Sequence, residues 1–143
     1  MAKRDLHNNI KVVRSISPVA VGTTGTGQTG KIVDAAGYQG VEIITSFGAI
    51  TSTAAVFTVT VKEGDATGSM TSVADAALLG TEAGAGLAAA VRTSGSTKNV
   101  SKRVGYIGAK RYVQVNIKST ATAATPVAAD VVLSHPVDAP VAT

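Results

Sequence analysis

The chain has 143 residues, a formal net charge of +4, 45% hydrophobic residues but only 3% aromatics, and neither cysteine nor tryptophan. That length suits one domain, residues 1–143, with enough buried surface to hold a core unaided. The missing cysteine excludes disulfides, cysteine-ligated zinc and thiol catalysis.

Met1–Asn9 is polar and charged and is expected to be an extended N-terminal arm, with no apolar run to mark a signal peptide. Ile10–Ile16 is a candidate strand in which Ile10, Val12, Arg14 and Ile16 alternate with Lys11, Val13 and Ser15. Pro18 closes this strand or places it at a sheet edge, since proline has no N–H for a ladder. Gly22–Gly30 is a loop, Lys31–Asp34 a short strand, and Val41–Phe47 an apolar strand. Ala54–Glu63 alternates cleanly, with Ala55, Phe57, Val59 and Val61 on one face.

Ser72–Leu79 carries a helical turn in outline, with Ser72 as cap and Asp75 three residues on. Ala83–Ala90 is rich in alanine, but Gly84 and Gly86 weigh against a helix, so a loop leading to a strand near Leu87–Arg92 is expected. The strongest strand pattern is Arg111–Lys118, where Val113, Val115 and Ile117 oppose Tyr112, Gln114, Asn116 and Lys118. With Val104–Ile107 before it and Gly108-Ala109-Lys110 between, the two runs read as a hairpin. Val127–Ser134 is the last strand, and residues 135–143 form an extended C-terminal tail. About seven or eight short strands separated by turns point to an all-β fold, a β-sandwich of jelly-roll-like form. No window is long and apolar enough for a membrane span.

The charge is unevenly spread. Lys98, Lys102, Arg103, Lys110, Arg111 and Lys118 share a segment without an acid, and Lys3, Arg4, Lys11, Arg14 and Lys31 face only Asp5. Asp34, Glu42, Glu63, Asp65, Asp75 and Glu82 occupy the middle. Basic ends around an acidic middle suit an acidic protein surface, contact between copies, or nucleic acid.

Chemical motifs are weak. Gly25-Thr26-Gly27-Gln28-Thr29-Gly30-Lys31 matches a phosphate-binding loop up to its lysine, but Ile32 stands where a magnesium-binding hydroxyl is needed. The residues that follow are too β-branched to open the required helix. His7 and His135 lie at opposite ends of the chain with no nucleophile pattern beside them. Glu63, Asp65 and Asp75 read as solvated turn residues and not as an acid–base pair. Lys102–Tyr112, with Tyr106 and Tyr112 among basic residues, is the one stretch that suits bases and phosphates. An enzyme is therefore not expected, and no catalytic residue, metal or cofactor is assigned.

Several local stretches together resemble a family of small tailed-bacteriophage virion proteins associated with the head. These are Asp5-Leu6-His7-Asn8-Asn9-Ile10-Lys11-Val12-Val13, Lys62-Glu63-Gly64-Asp65, Leu78-Leu79-Gly80-Thr81, Arg103-Val104-Gly105-Tyr106, Lys110-Arg111-Tyr112-Val113 and Ser134-His135-Pro136. They fall in the same order over nearly the whole chain. The resemblance implies a structural, non-enzymatic role in the virion, decorating or cementing the capsid. It implies the major capsid protein as partner, and carries no catalytic residues. Symmetry matching at capsid three-fold positions favours a homo-oligomer, with a trimer as the first guess. Lys3, Arg4, His7, Arg14, Arg103 and Arg111 are the candidate contacts. A head–tail connector or tail-associated subunit is the alternative structural role. A small nucleic-acid-binding module built on Lys102–Tyr112 is the alternative of another class, and a nucleotide-binding enzyme ranks last.

Overall fold

The computed structural model describes residues 5–21, 27–49, 55–88, 99–120 and 125–138. Among these the chain is almost wholly β. Its strands are β1 (Ile10–Val21), β2 (Gln28–Thr29), β3 (Val33–Asp34), β4 (Tyr38–Phe47), β5 (Phe57–Ala66), β6 (Ser69–Ser72), β7 (Leu78–Leu79), β8 (Val100–Tyr106), β9 (Tyr112–Ser119) and β10 (Thr125–Pro136). One helical turn, α1 (Glu82–Ala85), precedes β8.

Two antiparallel sheets face each other. The first runs β1-β10-β4-β8-β7, and the second runs β2-β9-β5-β6 with β3 also paired to β9. Alternation decides what lies between them. Phe57, Val59 and Val61 of β5 and Val113, Val115 and Ile117 of β9 point inward from the second sheet. They meet Ile43 and Phe47 of β4, Val104 of β8, and Val127, Ala129, Val131 and Leu133 of β10, forming one continuous apolar core. Phe47 and Phe57 join the layers, their ring centroids 5.7 Å apart and tilted by 56°, a geometry that aromatic quadrupoles favour.

The expected hairpin between Val104–Ile107 and Arg111–Lys118 does not form. β8 pairs with β4 and β7, whereas β9 pairs with β5, β2 and β3, so the two runs lie in different sheets. Residues 107–111 arch over the end of the sandwich. The Ile107 N–H donates to the Ala77 carbonyl at 2.9 Å, and the Lys110 N–H donates to the Tyr106 hydroxyl at 3.0 Å. Alternation identifies a half-buried strand; it does not name the strand's neighbour.

Other boundaries shift. β10 reaches Pro136, so His135 and Pro136 belong to a strand and not to a tail. Residues 7–9 form a 3₁₀ turn in place of an extended arm. The Asp5 carboxylate holds that turn, accepting from the Asn8 backbone N–H at 3.1 Å and from Asn8 Nδ2 at 2.6 Å. β1 continues through Pro18 as an edge strand with two register irregularities, between Arg14 and Ile16 and between Ile16 and Val19. These irregularities bury Ser15 and Ile16 together, while Val13 packs on the core and Val12 is 59% exposed. Ile16 and Val12 thus do not share a face. Glu82–Ala85 is helical where a loop was expected, because the Thr81 hydroxyl accepts from the Gly84 N–H at 2.9 Å. Glu82 also accepts from the Val61 N–H. Leu87 makes a single bridge to Phe57, and the rest of the expected Leu87–Arg92 strand, from residue 89, lies outside the described residues.

The glycine-rich stretch has a structural explanation. Gly27 has φ +66°, and a Cβ there would sit 2.2 Å from the Ile117 carbonyl oxygen. At Gly30 it would sit 2.1 Å from Ser15 Oγ and 2.8 Å from the Val115 carbonyl oxygen. Glycine lets this segment lie against β9, where the Gly30 N–H donates to Val115 O at 2.8 Å and the Lys31 N–H donates to Ser15 O at 2.9 Å. Residues 27–31 stitch the second sheet to β1 and open no helix; the rest of the glycine-rich stretch lies outside the described residues. Gly30→Ala should force these backbones apart and cost about 1–3 kcal/mol, read as a lowered urea midpoint; an unchanged midpoint would show that the gap can widen freely.

Candidate interaction surface

The outer faces of the two sheets differ in chemistry. On the second sheet Thr58, Thr60 and Lys62 of β5 stand beside Lys118, Asn116 and Gln114 of β9. These polar groups bond locally: Asn116 Nδ2 donates to Thr29 Oγ1 at 2.8 Å and Gln114 Nε2 to the Gly30 carbonyl at 2.8 Å. This is the ordinary solvated face of an antiparallel sheet.

The first sheet presents aliphatic groups outward. One cross-strand row runs Val12, Val132, Glu42, Gly105, Leu79. The next runs Arg14, Asp130, Ile44, Arg103. Val12 is 59% exposed and Leu79 58%. At Gly105 a Cβ would meet Glu42 Oε2 at 2.9 Å and Leu79 Cβ at 3.1 Å, so Leu79 and Glu42 close over that position. This outer face thus mixes aliphatic and charged side chains, with exposed Val12 and Leu79 at the two ends of one row.

Among the described residues three basic side chains form ion pairs. Arg111 donates to Asp34 through Nε at 3.0 Å and Nη2 at 2.7 Å, and its guanidinium lies 5.0 Å from the Tyr112 ring centroid. Hydrogen bonds from Arg111 and from the Ala36 N–H hold the Asp34 carboxyl below its usual range, and Asp34 in turn raises Arg111. Lys110 pairs with Asp65, which raises its ammonium pKa. Arg103 Nε lies 3.6 Å from Glu42 Oε1. Tyr106 is 4% exposed and donates to Glu63; burial first, then that carboxylate, push its phenol up to about 12.

The predicted contacts scatter accordingly. Lys3 and Arg4 lie outside the described residues. Arg14 and Arg103 share the outer face of the first sheet. His7 sits in the exposed 3₁₀ turn, and Arg111 lies at the arch, tied to Asp34. The stacking surface that the nucleic-acid reading needed is not assembled, because Tyr106 is buried and its two strands separate. His135 contacts Ser134 Oγ through Nδ1 at 3.0 Å. Among the described residues no three of His, Cys, Asp and Glu gather where they would hold a metal ion.

Sequence reasoning missed Val12, Val132, Ile44 and Leu79. The signal was present: Val12-Val13, Ile43-Ile44 and Val131-Val132 are adjacent β-branched pairs that break alternation on three neighbouring strands. One member of each pair enters the core and the other faces out. Compared with known proteins, the chain matches no protein-family model and no curated protein.

Proposed function

We propose that the protein is a structural component of a tailed-phage virion, decorating or cementing the head through contacts with the major capsid protein. The observation that carries this reading is the outer face of the first sheet, where Val12, Val132, Ile44 and Leu79 stand among Arg14, Glu42, Arg103 and Asp130, set against a polar second sheet. The resemblance of Asp5–Val13, Leu78–Thr81 and Ser134–Pro136 to head-associated phage proteins supplies the setting. Strand order supports a jelly-roll form, since β1-β10-β4-β8 opposite β2-β9-β5-β6 interleaves strands as two Greek keys do. In this role the protein is no enzyme and needs no cofactor, its place is the phage head after synthesis in the host cytoplasm, and many weak contacts add up over a repeating lattice.

The test is co-sedimentation of purified protein with phage heads stripped of it. Wild type is expected to pellet with heads, and Ile44→Glu, which places a second acid beside Asp130, to remain in the supernatant. Pelleting with tails or connectors alone would favour the connector role. Retention on DNA without retention on heads would favour the nucleic-acid module. Equal pelleting of both proteins would remove the first sheet from the contact.

A further inference from the structure

We infer that copies of this chain join head to tail, the β1 edge of one against the β7 edge of the next, with Val12 meeting Leu79. Three observations converge on it.

The first is placement. Val12 and Leu79 end the same cross-strand row, one on each outermost strand of the first sheet, and both are more than half exposed. Four strand spacings separate them, roughly 19 Å. Each copy therefore offers both halves of the contact at opposite ends of one face. The second is the state of the edges. Among the described residues β1 pairs only with β10 over Ile10–Arg14, and β7 covers just two residues of β8. Five antiparallel strands make β1 and β7 run the same way, so a neighbour can extend the sheet without turning over.

The third is charge, which selects the pairing. The β1 edge carries exposed Lys11 and Arg14, with Asp130 one strand further in, opposite Arg14. The β7 edge carries exposed Asp75 in the 3₁₀ turn immediately before Leu78. Two β1 edges would bring lysine and arginine together, and two β7 edges would bring Asp75 against its copy; like charges across such contacts are unfavourable. With the strands parallel and Val12 at Leu79, Lys11 and Asp75 both fall on the N-terminal side of that contact, so only the mixed pairing sets opposite charges near it. A head-to-tail contact of this kind closes into a ring or continues as a filament.

The test needs only the purified full chain, so it stands apart from binding to heads. The protein has no cysteine, so Val12→Cys and Leu79→Cys can be made as separate single-thiol proteins. Mixed in equal amounts under mild oxidation, they are expected to give a cross-linked dimer that neither gives alone. Light scattering of the wild type should show an oligomer. Leu79→Lys should keep the folded structure, read as an unchanged circular dichroism spectrum, and raise the dissociation constant about tenfold or more, a change equivalent to at least ~1.4 kcal/mol. A cross-link as strong within either single preparation would overturn the head-to-tail pairing. So would a wild-type monomer, or an oligomer without the mixed cross-link.

Discussion

Phe57→Ala is expected to cost about 3–5 kcal/mol, the largest loss from any single truncation in this core. The chain has two phenylalanines. They are the aromatic contact between the layers, Phe47 from the first sheet and Phe57 from the second, 2% and 1% exposed. They share the core with many short side chains, among them Ala55, Val59, Val61 and Ala85, though Leu87 bridges Phe57 directly. Such close-packed surroundings relax only in part around a deleted ring, so a cavity is left. Against a total stability of about 5–15 kcal/mol this leaves a marginal fold, with a melting temperature lowered by roughly 10–20 °C. Thermal and urea melts of the variant check it. A loss below about 1 kcal/mol would mean that the layers are held elsewhere.

Tyr106→Phe is the second. The ring stays and only the hydroxyl goes, so the experiment isolates a link between the sheets. That hydroxyl donates to Glu63 on β5 and accepts from the Lys110 N–H on the arch. Removing it leaves a carboxylate and an amide without that partner, at a cost of about 1–3 kcal/mol near neutral pH. The sign of the pH effect follows from the raised phenol. Its protonated form is favoured in the folded state, so its contribution is complete below the unfolded value of 10.0 and is lost as pH climbs toward about 12. Wild type should lose stability through that window, and Tyr106→Phe should lack that share of the loss. Lys110, raised by Asp65, adds a decline of the same sign in both proteins. Urea midpoints of the pair across this range decide it; parallel curves would exclude Tyr106 as the titrating group.

The strands that the sequence revealed are those whose alternation is strict. Phe57, Val59 and Val61, and Val113, Val115 and Ile117, are buried as their spacing predicts. Pairing was not legible, because a period of two is satisfied by any neighbour, and Val104–Ile107 was close enough to Arg111–Lys118 to suggest a local turn. The bulged stretch of β1 was not legible either, since a shifted register changes which residues face inward without changing composition. The surface was half legible. Arg14 and Arg103 are evident as charges, but the pairings of Arg111 with Asp34 and Arg103 with Glu42 join residues far apart in the chain. No local rule reaches that distance. Val12 and Leu79 became visible only once the register placed them in one row.

The position of β10 has a consequence for how the molecule is made. Of the described strands it is the last to leave the ribosome, yet it lies between β1 and β4. Until Pro136 has emerged, the first and fourth strands have no shared partner, and the first sheet lacks the inward residues Val127, Ala129, Val131 and Leu133. The first sheet is thus completed only after translation has passed almost every residue described. A message cut short before this segment would release product with two sticky ribbons and no seam to join them.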